Sequence, residues 1–121
     1  MARALVVEDN PVNLKLMRKI LESMGHQVVC AETGEDGWNI VSSGEAFDII
    51  FLDMHLPQMD GFELARRVRG RLGDKARIVA VTAMAMSGDR ERIIEAGCDD
   101  YISKPIFLKE FKDFLARYLP G

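Results

Sequence analysis

Ile49-Ile50-Phe51-Leu52, followed by Asp53-Met54-His55-Leu56-Pro57-Gln58-Met59-Asp60-Gly61, is the stretch from which the fold of this chain can be read. Four consecutive apolar residues have the length and composition of a strand buried on both faces. The acid that follows sits where such a strand leaves its sheet. Pro57 and the Asp60-Gly61 pair make a short loop and turn, handing the chain to a helix expected to start near Phe62. A carboxylate on a tight loop at a strand's carboxyl end is where open α/β sheets place their chemistry.

Working outward, the same alternation recurs. Towards the amino terminus, Leu5-Val6-Val7 reads as a strand closed by Glu8-Asp9. Asn10-Pro11 is an N-cap followed by proline at the first helical position. Val12, Leu16, Ile20 and Met24, joined by Met17 and Leu21, predict one apolar helix face, which Gly25 ends. Gln27 to Cys30 is a weaker, more polar strand, and Thr33 caps a helix carrying Trp38 and Val41. Gly37 weakens that helix and Gly44 ends it. Towards the carboxyl terminus, Leu64, Ala65, Val68 and Leu72 predict a helix with its arginines outside. Ile78-Val79-Ala80-Val81 is a buried strand closed by Thr82. A helix is expected from Ser87 or Gly88 to Ala96, with Gly97 as its stop. Tyr101-Ile102 is a short strand ended by Ser103-Lys104-Pro105, and Leu108, Phe111, Phe114, Leu115 and Leu119 pattern a last helix.

Five strands alternating with five helices imply an α/β fold: a doubly wound, five-stranded parallel sheet, covered on both faces. The first, third and fourth strands are continuously apolar, as central strands are, and the second and fifth are bordered by polar residues, as edges are. That predicts the order 2-1-3-4-5, a (βα)5 flavodoxin-like topology, with its switch point between strands one and three.

Composition bounds the function. The 121 residues, 48% apolar and 29% charged, suit one soluble domain spanning 1–121. A net charge of −3 argues against a nucleic-acid partner, because phosphate binding needs concentrated Lys and Arg. Arg66, Arg67, Arg69 and Arg71 read as a solvated helix face. Cys30 and Cys98 are far apart in sequence and show no metal-ligand spacing, which points to reduced thiols. Ile78 to Met86 is too short to span a bilayer, and the amino terminus lacks signal-peptide architecture, so a cytoplasmic location without membrane contact is expected.

Parallel strands all point their carboxyl ends the same way, so Glu8-Asp9, Asp53, Thr82 and Lys104 are expected on one rim. Two like charges about 4 Å apart repel by about 4 kcal/mol at an effective dielectric near 20, so three gathered carboxylates take up protons or recruit a cation. Hard oxygen ligands with room left for water and phosphate favour Mg²⁺ over a calcium cage. The loop Glu8-Asp9-Asn10-Pro11 weighs against a nucleotide pocket of the flavodoxin type, which needs a cradle of hydroxyls and glycine amides. A carboxylate beside Mg²⁺, flanked by a hydroxyl and an ammonium, is equipped to accept a phosphoryl group. Asp53 would be the nucleophile, with Lys104 and Thr82 holding the transferring oxygens.

From Ala4 to about Leu119 the chain resembles a response-regulator receiver domain of two-component signalling. The motifs are Val6-Val7-Glu8-Asp9-Asn10, Asp53-Met54-x-Leu56-Pro57-x-Met59-Asp60-Gly61, Thr82-Ala83 and Lys104-Pro105. The resemblance implies that Asp53 is the phosphoacceptor, Asp9 a direct Mg²⁺ ligand, Glu8 a nearby or water-mediated one, and the His55 carbonyl another. It also implies a cis Lys104-Pro105 bond. Tyr101 matches the family's aromatic switch position, at which an inward rotamer follows the inward movement of Thr82 and reshapes the face formed by helix four, strand five and helix five. Glu8 departs from the aspartate often found first in the acidic pair. His55 and Met84 occupy positions that gate water's access to the phosphoryl group.

The resemblance implies a histidine kinase or histidine phosphotransfer protein as phosphodonor and a downstream protein target that the sequence does not name. Two other readings are weighed against it. A pseudo-receiver acting as a structural module is opposed by the intact set Asp9, Asp53, Thr82 and Lys104. A small phosphohydrolase would need a second acid at the position of His55. Apart from catalysing its own phosphorylation and dephosphorylation, the chain is not expected to be an enzyme. The Met1 start favours a single-domain, monomeric regulator over a receiver cut from a hybrid kinase, and dimerisation on phosphorylation is left open.

Overall fold

A computed structural model describes residues 1–83 and 89–119 of the chain. Among the described residues the elements are β1 (Arg3–Val7), α1 (Pro11–Ser23), β2 (Gln27–Ala31), α2 (Gly34–Ser42), β3 (Ile49–Asp53), α3 (Gly61–Leu72), β4 (Arg77–Thr82), α4 (Asp89–Glu95), β5 (Asp100–Ser103) and α5 (Leu108–Tyr118). The strands form one parallel sheet in the order β2-β1-β3-β4-β5, as the apolar character of the three central strands predicts. The expected helix start at Ser87 or Gly88 and the gating position Met84 lie outside the described residues.

Strand periodicity divides the core in two. Leu5, Val7, Ile50, Leu52, Ile78 and Ala80 face one way and pack with Val41 of α2, Leu64, Ala65 and Val68 of α3 and Ile93 of α4. Ala4, Val6, Ile49, Phe51, Val79 and Val81 face the other way, against Met17, Ile20 and Leu21 of α1 and Phe111, Phe114 and Leu115 of α5. Phe51 meets Phe111 edge-on at 5.4 Å between ring centroids. With both faces of the sheet covered, side chains at the strand ends emerge at its rims.

Local signals explain the element boundaries. The Asn10 side chain accepts hydrogen bonds from the Val12 and Asn13 amides at 2.9 and 3.1 Å, and Pro11 begins α1. Thr33 Oγ1 accepts from the Asp36 amide, and Asp60 Oδ1 from the Phe62 amide. The interior Gly37 of α2 has a packing reason: a Cβ there would lie 2.8 Å from Val7 Cγ2, so its absence lets the helix sit close on β1.

Three expectations need correction. Val12 is 74% exposed, and the buried face of α1 is Met17, Ile20 and Leu21. A row of residues four apart drifts by about 40° per step on a helix of 3.6 residues per turn, so Val12, two steps before Ile20, falls off the buried face, whereas Met24, one step beyond it, is half-buried against the same cluster. Leu108 is exposed in the first turn of α5, ahead of the stretch that packs on Phe51. Arg69 is half-buried and hydrogen-bonded rather than solvated, unlike the exposed Arg66, Arg67 and Arg71. Cys30 is half-buried and Cys98 buried, and both are free thiols. No helix among the described residues is long and apolar enough to cross a membrane.

Candidate functional site

Four of the five strands, β1, β3, β4 and β5, set functional side chains on the carboxyl rim of the sheet. The Glu8 amide donates to the Ala31 carbonyl at 3.0 Å, extending the β1–β2 ladder by one residue and fixing Glu8 at its end. Asp53 is the last residue of β3 and pairs in register with Val81, so Thr82 reaches one residue further along the rim, beside Ser103. The Lys104 amide donates to the Thr82 carbonyl at 2.8 Å, and the Lys104-Pro105 bond is cis, as the resemblance implied.

These placements bring the four strand ends together. Glu8, Asp53 and Thr82 are buried, whereas Asp9 is exposed. Glu8, Asp9 and Asp53 each offer a carboxylate oxygen within 4.8 Å of the other two. Lys104 Nζ, its side chain 21% exposed, donates to Asp53 Oδ2 at 3.2 Å and to Glu8 Oε2 at 3.4 Å. It stands 3.0 Å from Glu8 Oε1 as an ion pair. The approach to Oε1 lacks hydrogen-bond geometry, and that buried oxygen accepts no hydrogen bond. Asp53 Oδ1 accepts from the His55 amide at 2.9 Å, which turns the chain back on itself directly after the strand. The His55 side chain points to solvent. Tyr101 is half-buried against the core on the α3–α4 side of the sheet.

One close approach makes this loop possible. A Cβ on Gly61 would lie 2.4 Å from Met54 Cα and 2.5 Å from the Asp53 carbonyl oxygen. Only a residue without a side chain lets the first turn of α3 come this near the strand end that carries Asp53.

The electrostatics follow from crowding charges in a buried place. Burial, reinforced by hydrogen bonding with Asp53, pushes the Glu8 carboxyl up to about 7. Burial also works to raise Asp53, but Glu8, the His55 amide, Asp9 and the Lys104 ammonium together hold it below the usual carboxylate value. Burial works to lower Lys104, and the two carboxylates outweigh it and raise the ammonium's pKa. The site therefore holds an ionised Asp53 against a fixed cation, with a second carboxylate poised to exchange a proton near neutrality.

The donor set suits a hard divalent cation. Two buried acids and one exposed acid converge, one buried oxygen lacks a hydrogen bond, and the Asp9 side opens to water. Two features escaped the sequence reading. The Asn10 amide donates to Glu8 Oε2 at 3.1 Å, an arrangement the Glu-x-Asn spacing would have allowed one to anticipate. The network around Arg69 and Asp99 joins residues about 30 apart, and no local signal announces it.

Comparison with known proteins agrees with this geometry. The model of the response regulator receiver domain family matches residues 4–116. The sensor histidine kinase RcsC of Salmonella typhi is 40% identical over 114 residues, 94% of this chain and 12% of that protein. The polar-differentiation response regulator DivK of Brucella anthropi is 36% identical over 118 residues, 95% of this chain and 94% of that protein. The chain spans 7% of the length of the hybrid signal transduction histidine kinase L of Dictyostelium discoideum and 13% of that of the sensor protein GacS of Pseudomonas syringae pv. syringae. Among solved structures, the receiver domain of sensor histidine kinase PA1611 from Pseudomonas aeruginosa superposes with a TM-score of 0.83 at 32% identity, covering 99% of this chain and 98% of that one. It holds a magnesium ion in its active-site cleft. The chain belongs to the response regulator receiver domain family of two-component signalling.

Proposed function

We propose that this chain, a single receiver domain over residues 1–121, is a cytoplasmic phosphoacceptor switch that takes a phosphoryl group on Asp53. Receiver domains interact with histidine kinases or phosphotransfer proteins, and a phosphohistidine of either is the donor in this reading. A carboxylate oxygen of Asp53 attacks phosphorus, the bond from phosphorus to the donor's imidazole nitrogen breaks, and that nitrogen keeps the electron pair. Its ionised state and its fixed orientation, held by the His55 amide, favour the attack. Lys104 loses half of its ion-pairing to the uncombined carboxylate and gains the phosphoryl oxygens, with the Thr82 hydroxyl holding another.

Glu8, Asp9, Asp53 and the His55 carbonyl are the residues that would hold Mg²⁺. When bound, the ion supplies positive charge that offsets the charge on the transferring oxygens. Movement of Thr82 towards the phosphoryl group favours the inward rotamer of Tyr101 and changes the α4-β5-α5 face presented to a downstream protein.

The observation that carries the reading is the position of Lys104 Nζ, 3.2 Å from Asp53, within a set of three converging carboxylates. Incubation with acetyl phosphate and Mg²⁺ should add the mass of a phosphoryl group, with no gain when Mg²⁺ is chelated and none in Asp53→Asn. A gain that persists in Asp53→Asn would place the acceptor elsewhere.

A further inference from the structure

Arg69 stands apart from the other arginines of α3. Its Nε donates to the Gly97 carbonyl at 2.9 Å, and Nη1 donates to the carbonyls of Gly73 at 2.6 Å and Ala76 at 3.1 Å. Nη2 donates to Asp99 Oδ2 at 2.6 Å. The acceptors belong to three segments: the end of α3, the approach to β4, and the turn between α4 and β5. Asp99 is itself tied to β4, since Oδ2 accepts from the Ile78 amide at 2.8 Å and its own amide donates to the Ile78 carbonyl at 2.7 Å. A planar, permanently charged fork is the one side chain able to serve these acceptors together.

The helix ahead of that turn is held differently. Of Asp89–Glu95 only Ile93 is buried, and Arg90, Glu91, Arg92, Ile94 and Glu95 are exposed. Among the described residues, Arg92 sets its guanidinium 4.4 Å from the ring centroid of Phe62 in the first turn of α3, a contact made by a side chain 59% exposed and therefore weak. The turn that ends α4 is fastened by two charge-assisted hydrogen bonds from Arg69, whose other two tie the same guanidinium to the end of α3 and the approach to β4, and the exposed side of α4 is held by a solvent-screened stacking contact.

We propose that Arg69 is a positioning residue that makes the turn Gly97–Asp99 the fixed pivot about which α4 reorients on phosphorylation, with the Arg92–Phe62 contact as the one that is broken. The inference rests on Asp53 being the acceptor. It names what keeps the movement confined to α4 instead of disturbing β5, the strand that delivers Tyr101 and Lys104.

Backbone NMR of the intact chain, with and without Mg²⁺ and beryllofluoride as a phosphoryl mimic, tests it. In the unsubstituted protein the His55 amide should shift, residual dipolar couplings should report a reoriented α4, and hydrogen exchange at Gly97, Cys98 and Asp99 should change by less than about twofold. In Arg69→Ala, which removes two charge-assisted hydrogen bonds to the turn, exchange at those three amides should rise by at least about tenfold, the ratio for losing one such bond, and α4 should no longer adopt one orientation with the mimic. Arg69→Lys should fall between, because one ammonium cannot serve all three segments. A His55 response accompanied by movement of Gly97–Asp99 equal to that of α4 in the unsubstituted protein would overturn the pivot alone. No response at His55 would overturn the acceptor reading and the pivot with it.

Discussion

Lys104 Nζ lies 3.2 Å from Asp53 Oδ2 and 3.0 Å from Glu8 Oε1, so one ammonium from the end of β5 compensates two buried carboxylates from the ends of β1 and β3. Three strands that are far apart in sequence are thereby joined by charge at the rim.

Removing that cation should expose the cost of the acids it neutralises. Lys104→Ala is expected to destabilise the fold by about 2–4 kcal/mol at pH 8, because a broken ion pair leaves charge in a place poor in water. The loss should shrink at pH 6, where Glu8 can take up a proton. Urea unfolding of both proteins at the two pH values measures this, and phosphorylation by acetyl phosphate should fall with the loss of Lys104. An equal destabilisation at both pH values would mean that Glu8 does not respond to the cation.

The proposed place of Glu8 beside Mg²⁺ gives that binding a pH dependence of predicted sign. Its carboxyl is raised from the ordinary 4.5 to about 7, so the metal-free protein binds a proton there that the unfolded chain does not bind between those values. The resulting stabilisation is fully present below pH 4.5 and lost as pH rises through about 7. A metal ion replaces the proton, so apparent Mg²⁺ affinity should fall as pH drops below about 7. Saturating Mg²⁺ should raise Tm more at pH 8 than at pH 6. Glu8→Gln should flatten the dependence around pH 7, which titration by calorimetry at a series of pH values would reveal.

The order of strands and the acids, hydroxyl and ammonium of the rim were legible because both depend on patterns within short stretches. Buried strands read as apolar runs, and parallel strands send their carboxyl ends to one side whatever the loops between them do. Residues whose role depends on a distant partner were not legible. Arg69 lies in the same arginine-rich stretch of α3 as the exposed Arg66 and Arg67, and what sets it apart is that Gly97 and Asp99 come to it from another part of the chain. The phase of α1 is not legible at Val12, since an apolar residue at the margin of a helix face reads the same whether or not a sheet lies beneath it. Exchanging Val12 for Ser should leave stability within about 0.5 kcal/mol, whereas Met17→Ala should cost about 2–5 kcal/mol.

His26 supplies an acid sensitivity at the opposite rim. It is buried, and its Nδ1 accepts the Ala2 amide at 3.0 Å, a role open only to the neutral ring. Burial, with the nearby amino terminus adding to it, lowers its pKa below the ordinary 6.5 against the opposing pull of Asp48. The unfolded chain therefore binds the extra proton. The stabilisation is present above pH 6.5 and lost as pH falls through the lowered folded value. Glu8 acts in the opposite sense over part of this range, so the comparison is best made in a Glu8→Gln background. There, Tm should fall between pH 7 and 5 with His26 present and fall less in His26→Gln. Identical slopes would remove His26 as the cause.

Two glycines of α3 should respond to alanine with opposite signs. Gly70 lies inside the helix with nothing within 4 Å of where its Cβ would be. Gly70→Ala should therefore stabilise by about 0.5–1 kcal/mol, since alanine loses less backbone freedom on folding and nothing is displaced. At Gly61 the same methyl group would stand 2.4 Å from Met54 Cα and 2.5 Å from the Asp53 carbonyl oxygen. Both are backbone atoms, which cannot rotate aside as the end of a side chain does. Either α3 shifts outward or the Asp53–His55 turn opens, and overpacking of this kind costs about 1–3 kcal/mol. The turn that holds Asp53 Oδ1 against the His55 amide is then disturbed, so Gly61→Ala should lower the rate of acetyl-phosphate labelling as well as Tm, while Gly70→Ala leaves labelling unchanged. If Gly61→Ala matched the unsubstituted protein in both measurements, the close approach of α3 to the end of β3 would not be what shapes the acceptor loop.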